Sequence, residues 1–128
     1  HDDPIVTRCR NLGLTLLGKT NTSEFGAGAQ TFNTLFGPTR NPYDSTKTCG
    51  GSSGGSAVAV ATGMADFGTG TDFGGSLRIP AAFCNIVGFR PSTTQPGQLD
   101  TQGFLARTVA DLQQVLELPT LPPPRARL

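Results

Sequence analysis

The stretch GGSSGGSAVAVATGMADFGTGTDFGGSLRIPAAFCNIVGFRPS, Gly50 to Ser92, decides how the rest of the chain is read. Its opening has the composition of a flexible linker. Yet Ala57-Val58-Ala59-Val60-Ala61 follows at once, and linkers do not run straight into apolar structure. These small residues predict a helix packed tightly by its neighbours and closed by Gly63. Phe67 to Thr71 reads as a short strand, and Asp72-Phe73-Gly74-Gly75-Ser76 as a tight turn. Leu77 to Phe83 reads as a short helix with Pro80 near its start, and Ile86 to Phe89 as a second strand stopped by Pro91. Strands alternating with helices point to an α/β architecture.

Upstream, Asp2 or Asp3 caps a helix whose first turn suits Pro4, whose apolar face is Ile5, Val6, Cys9 and Leu12, and which Gly13 ends. Leu14 to Leu17 then predicts a buried strand stopped by Gly18. Turn formers recur from Thr20 to Thr48, marking a long irregular segment of the kind that more often carries function than filler. Downstream, Thr108 with Asp111 three residues on forms a capping-box-like start. It opens a helix whose apolar face is Val109, Leu112 and Leu116. Residues 1–118 read as one partial domain, and the proline-rich end, 119–128, as a loose tail.

The 128 residues allow one domain with a modest core, and a chain 36% apolar and 15% charged is globular in class. A formal net charge of +1 gives no electrostatic footprint for direct nucleic-acid binding or for an anionic membrane. No apolar run approaches a membrane span and no signal-like segment opens the chain. Three cysteines, Cys9, Cys49 and Cys84, are odd in number and widely spaced. They fit reduced thiols better than a disulfide framework or a zinc site, and a cytoplasmic setting is the expectation. The single histidine is His1, so no histidine-based metal site is on offer. Of seventeen glycines, twelve lie between Gly26 and Gly75. That density has an entropic cost in folding, so it marks turns or places where backbone meets something closely.

Two serines stand in glycine-rich backbone, Ser52 in GGSSGG and Ser76 in DFGGSLR. Serine needs a base before it becomes a nucleophile. Neighbouring glycines let successive amides turn toward one point and build an oxyanion hole, each donor contributing about 2.7–4 kcal/mol of transition-state stabilisation. Gly50-Gly51-Ser52-Ser53-Gly54 matches the G-x-S-x-G elbow of α/β-hydrolases, but no histidine follows Ser52, so a Ser–His–Asp triad is excluded. A P-loop also fails, because G-K-[ST] is missing. Taken one at a time and by residue type alone, each serine is better read as a turn residue or helix cap. Lysine is the remaining base, and the chain has only Lys19 and Lys47. Both read most simply as surface residues.

The stretch Gly50 to Ser92 resembles the defining signature of the amidase-signature family. LGKTNTSEFGAGAQTFNTLFGPTRNPYD before it and LARTVADLQQVLE after it agree, so the resemblance extends from Asp3 to about Glu117. It implies part of an α/β/α sandwich with a mixed twisted sheet, truncated at both ends. It implies a Ser–Ser–Lys triad, with Ser76 as nucleophile and Ser52, held by a cis peptide bond, as bridging serine. The amides of Phe73, Gly74, Gly75 and Ser76 would form the oxyanion hole, with Ser53, Asp72 and Arg78 bracing the site. In the family the catalytic lysine lies on a strand upstream of the serines, in a segment these residues do not contain. Lys19 belongs to the separate GKTN motif.

The implied activity is hydrolysis of a small-molecule amide through an acyl-serine, with no metal, no organic cofactor and no membrane association. Little or no activity is expected of this chain alone. The wording EFGAGAQTFNTLFGPTRNPYD is closer to general acylamidases than to the amidotransferase subunit that makes glutaminyl-tRNA by amidation of glutamyl-tRNA(Gln), which is the alternative enzyme. A non-catalytic remnant is the alternative from another class. A slice of a larger sheet is also expected to leave strand edges uncovered, predicting self-association through them.

Overall fold

The structure is a computed structural model that describes residues 1–92 and 99–117. Elements follow in the order α1 (Pro4–Asn11), a short 3₁₀ turn (Glu24–Gly26), β1 (Phe32–Asn33), β2 (Gly37–Pro38), α2 (Gly54–Ala61), β3 (Phe67–Asp72), α3 (Arg78–Phe83), β4 (Val87–Phe89), β5 (Thr101–Ala106) and α4 (Val109–Glu117). The proline-rich end expected as a loose tail lies outside the described residues.

Local chemistry starts the helices as the sequence predicts. Asp3 caps α1 by accepting the Ile5 N–H at 3.1 Å, and Pro4 occupies the first turn, where its missing donor has no helical partner to lose. Before α4 the capping box closes on itself. The Asp111 N–H donates to Thr108 Oγ1 at 3.1 Å, and the Thr108 hydroxyl donates to the Asp111 carboxylate at 2.8 Å.

The main sheet has the order β3-β5-β4, and both pairings are antiparallel, as is that of the small β1–β2 ribbon. Side chains alternate across β5, so successive residues feed opposite cores. Leu105 joins Cys49, Ala57, Val60, Leu77, Ala81 and Cys84 beneath α2 and α3. Phe104 and Ala106 join Cys9, Leu12, Leu112 and Val115 beneath α1 and α4. Helices therefore cover both faces, and the chain is a slice of an α/β/α sandwich. Among the described residues no helix is long and apolar enough to cross a membrane.

The face of the sheet under α2 and α3 is nearly bare of side chains. A Cβ on Gly68 would lie 3.1 Å from Ser56 Cβ, and one on Gly70 would lie 2.8 Å from Ser53 Cβ and 2.9 Å from a Leu77 methyl. Glycine in these strands lets the small-residue helix sink onto the backbone, and Leu77 fills the remaining space. Leu77 is completely buried, with methyls close over Gly70 and Gly103. Burying one such side chain stabilises by about 1.5–3 kcal/mol.

Two expectations need correction. Leu14 to Leu17, predicted as a buried strand, joins no sheet, and Leu16 and Leu17 are exposed. An apolar run becomes a strand only when another strand takes up its backbone donors and acceptors, and none lies beside it among the described residues. Conversely, the sequence reading assigns no element to Thr101–Ala106, which is β5, the central strand.

Candidate active site

Three glycines of the loop from Gly50 to Gly55, namely Gly51, Gly54 and Gly55, are required by the segment packed across it. A Cβ on Gly51 would sit 2.7 Å from the Gln30 carbonyl carbon, one on Gly54 2.9 Å from Thr31 Cβ, and one on Gly55 2.6 Å from the Asn21 backbone nitrogen. The loop thus lies flat against residues 21–31, too close for any larger residue. Within it the Gly51–Ser52 peptide is cis. The Ser52 carbonyl accepts from the Thr22 hydroxyl (3.0 Å), the Thr31 hydroxyl (3.3 Å) and the Ser23 N–H (3.4 Å), and Ser52 itself is 2% exposed.

The second serine sits at the end of a turn organised by Asp72. Its carboxylate is fully buried and saturated with donors. Oδ1 accepts the Gly75 N–H and Arg78 Nη2, both at 2.8 Å. Oδ2 accepts Arg78 Nε at 2.9 Å and the amides of Leu77 and Arg78 at 3.2 and 3.3 Å. Arg90 Nε lies 3.5 Å from Oδ1 and donates to the Asp72 carbonyl at 3.3 Å. The Arg78 guanidinium, assisted by these amides, outweighs the effect of burial and holds the Asp72 carboxyl well below the usual carboxylate range. Asp72 is therefore ionised throughout the neutral range, and it winds the turn around itself. Ser76, next to the completely buried Leu77, is left half-buried at the surface of the turn.

The two serine segments meet. The Ser53 N–H donates to the Ser76 carbonyl at 3.2 Å, joining backbones 23 positions apart beside the buried Ser52. Ser52, Ser53, Asp72, Ser76 and Arg78 are thus gathered into one region. Of the four amides expected to form an oxyanion hole, that of Gly75 is directed instead at Asp72, which needs it as a ligand. Those of Phe73, Gly74 and Ser76 have no acceptor among the described residues. Thr22, Thr31 and Arg90 were not singled out in the sequence. They act through backbone carbonyls or a chain-distant carboxylate, and no local pattern marks them.

A cleft of about 910 Å³ opens beside this region. Ser52, Ser53 and Ser56 line it, together with β3 from Phe67 to Thr71 on one side and the strandless segment Leu14 to Lys19 on the other. Lys19 is exposed at its rim, and Lys47 is engaged in a surface ion pair with Asp44 at 3.1 Å. The three cysteines are free and buried; burial pushes the Cys84 thiol up to about 11, with Cys49 adding to the shift. Such thiols are poor nucleophiles. Among the described residues no group of three or more His, Cys, Asp and Glu is placed to hold a metal ion.

A family model described as Amidase matches residues 1–120. The chain is 47% identical over 120 residues to a glutamyl-tRNA(Gln) amidotransferase subunit from Thermobifida fusca, an alignment covering 87% of this chain and 24% of that protein. In structure it superposes on a 6-aminohexanoate cyclic dimer hydrolase with a TM-score of 0.83 and 37% identity, over 100% of this chain and 29% of that one. On the corresponding glutamyl-tRNA(Gln) amidotransferase subunit of Thermotoga maritima the TM-score is 0.84 with 36% identity, over 94% of this chain and 28% of that one. The chain spans about a quarter of the length of the curated relatives it matches. By sequence and by fold, it belongs to the amidase family, the amidase-signature enzymes.

Proposed function

We propose that these residues supply the nucleophilic half of an amide hydrolase in which Ser76 is acylated and Ser52 relays protons. The observation that carries this reading is the Ser53 N–H bond to the Ser76 carbonyl, which sets a buried serine beside the turn bearing a more accessible one. Ser76 Oγ attacks the amide carbon, passing its proton to Ser52 Oγ, and Ser52 passes its own to a neutral lysine. The negative charge forming on the carbonyl oxygen is met by the amides of Phe73, Gly74 and Ser76, which have no acceptor among the described residues. As the C–N bond breaks, Ser52 gives a proton to the leaving nitrogen and recovers one from the lysine. Water then hydrolyses the acyl-serine. No metal or cofactor enters.

The lysine comes from outside these residues. The edge of β3 that has no partner among the described residues, the strandless Leu14 to Lys19 segment and the cleft between them leave room for one further strand passing Ser52 and Ser53. Such a strand would pair on both sides. Little or no turnover is therefore expected of the chain alone. A fluorophosphonate probe should label Ser76, and Ser76→Ala should abolish that labelling, as judged by peptide mass mapping. Labelling that survives Ser76→Ala would sink the nucleophile assignment and leave a non-catalytic remnant as the better reading. Steady turnover of a simple amide by the chain alone, abolished by Ser76→Ala, would overturn the need for an external lysine.

A second reading, the glutamyl-tRNA(Gln) amidotransferase subunit, is favoured by the names of the curated relatives and opposed by the acylamidase-like wording of residues 24–44. Comparing simple amides with glutamine, with and without partner subunits, separates the two.

A further inference from the structure

The Ser52 loop is held from a direction that the proton relay does not use. Thr31 is 2% exposed. Its hydroxyl accepts the Gly54 N–H at 2.9 Å and reaches the Gly50 carbonyl at 3.0 Å and the Ser52 carbonyl at 3.3 Å, while its own N–H donates to the Gly50 carbonyl at 3.1 Å. One side chain therefore grips the loop on both sides of Ser52. Oγ1 has one proton to donate and lone pairs to accept with, so it serves the acceptor limb and the donor limb together, which a purely apolar residue of the same shape cannot do.

Thr31 is itself anchored outside the loop. Its carbonyl accepts the Thr39 N–H at 2.9 Å, and the preceding Gln30 carbonyl accepts the Ser23 hydroxyl. Both anchors belong to the 20–48 segment, so the hold runs from that segment, through one hydroxyl, to the backbone carrying Ser52. We propose that Thr31 is a positioning residue for Ser52, fixing where the Ser52 hydroxyl stands relative to Ser76. This proposal rests on the relay role given to Ser52 above. Misplacing a relay by a fraction of an ångström lengthens a proton transfer without changing which groups are present, so the loss falls on the chemical step.

The experiment is a double-substitution cycle in the 128-residue chain, read as the rate at which a fluorophosphonate labels Ser76. Thr31→Val should slow labelling roughly ten- to a hundredfold, and Thr31→Ser, which keeps the hydroxyl, should restore most of it. In a Ser52→Ala background Thr31→Val should add little further loss, because its effect passes through Ser52. Equal losses with and without Ser52, or a Thr31→Ser variant as slow as Thr31→Val, would overturn the proposal. Amide hydrogen exchange supplies a readout independent of chemistry: Thr31→Val should speed exchange at Gly54 while Gly75, held by Asp72, stays protected. Unchanged exchange at Gly54 counts against it. Where Thr31→Val does not fold, Thr31→Cys, with a weak thiol donor, takes its place in both measurements. An unsubstituted chain that never labels would show that labelling needs the outside lysine, and the exchange comparison at Gly54 then decides Thr31 alone.

Discussion

Asp72 shows how one side chain sets both a shape and a charge. Every oxygen lone pair that faces the protein has a donor, and the two guanidiniums of Arg78 and Arg90 flank it. Asp72→Asn keeps the size but leaves two cations without their partner and turns one acceptor into a donor. We expect it to destabilise the chain by about 2–3 kcal/mol, less than a wholly buried pair because the Arg78 side chain is 56% exposed; urea unfolding would measure this. The pH dependence has a definite sign. The folded-state pKa lies below the roughly 3.9 of an unfolded aspartate, so the contribution is complete above that value and is lost as pH falls toward the folded pKa. Acid titration of stability should therefore fall more steeply in the native chain than in Asp72→Asn. A parallel pair of curves would contradict the assignment.

At the scale of elements, the two glycines of the turn separate into different physical cases. A Cβ on Gly74 meets nothing within 4 Å, whereas Gly75 has φ +125° and a Cβ there would lie 2.8 Å from an Ile79 methyl. Gly74→Ala should leave the melting temperature nearly unchanged. Gly75→Ala should lower stability by about 1–3 kcal/mol, and so should Gly70→Ala, which wedges α2 away from β3. Differential scanning calorimetry on the three variants tests the ordering. The helices α1 and α4 were legible because their caps are local, α2 because its run of small residues is unbroken, and so was the turn from Asp72 to Ser76; on α4 the buried face is Leu112 and Val115, with Val109 exposed. The strand β5 was not. Its meaning comes from two neighbours that lie well away from it along the chain, in the β3 and β4 pairings, and the short run before Arg107-Thr108 carries no periodicity that distinguishes it from a loop. Leu14 to Leu17 failed the other way: its strand-like composition is present, but pairing partners are not. In the site, the serines were legible as glycine-flanked positions, whereas Thr22, Thr31 and Arg90 were not, since tertiary contact alone gives them a role.

For the whole molecule, the open cleft and the side of β3 that is unpaired among the described residues bear on association. Exposed strand edges recruit other strands, so sedimentation velocity should show self-association that grows with concentration. Thr69→Lys, a charge placed on β3 beside the cleft, should reduce it. Monomers at all concentrations, with or without the lysine, would refute this. A different consequence follows from Leu77, the buried plug adjoining Ser76. Because the residue beside the proposed nucleophile is also buried at the centre of the α2–α3 core, loosening the turn at Leu77 disturbs that core as well. If Ser76 is the nucleophile, capture by an irreversible serine probe should therefore fall on heating together with the unfolding of the body, so the captured fraction counts the molecules still folded.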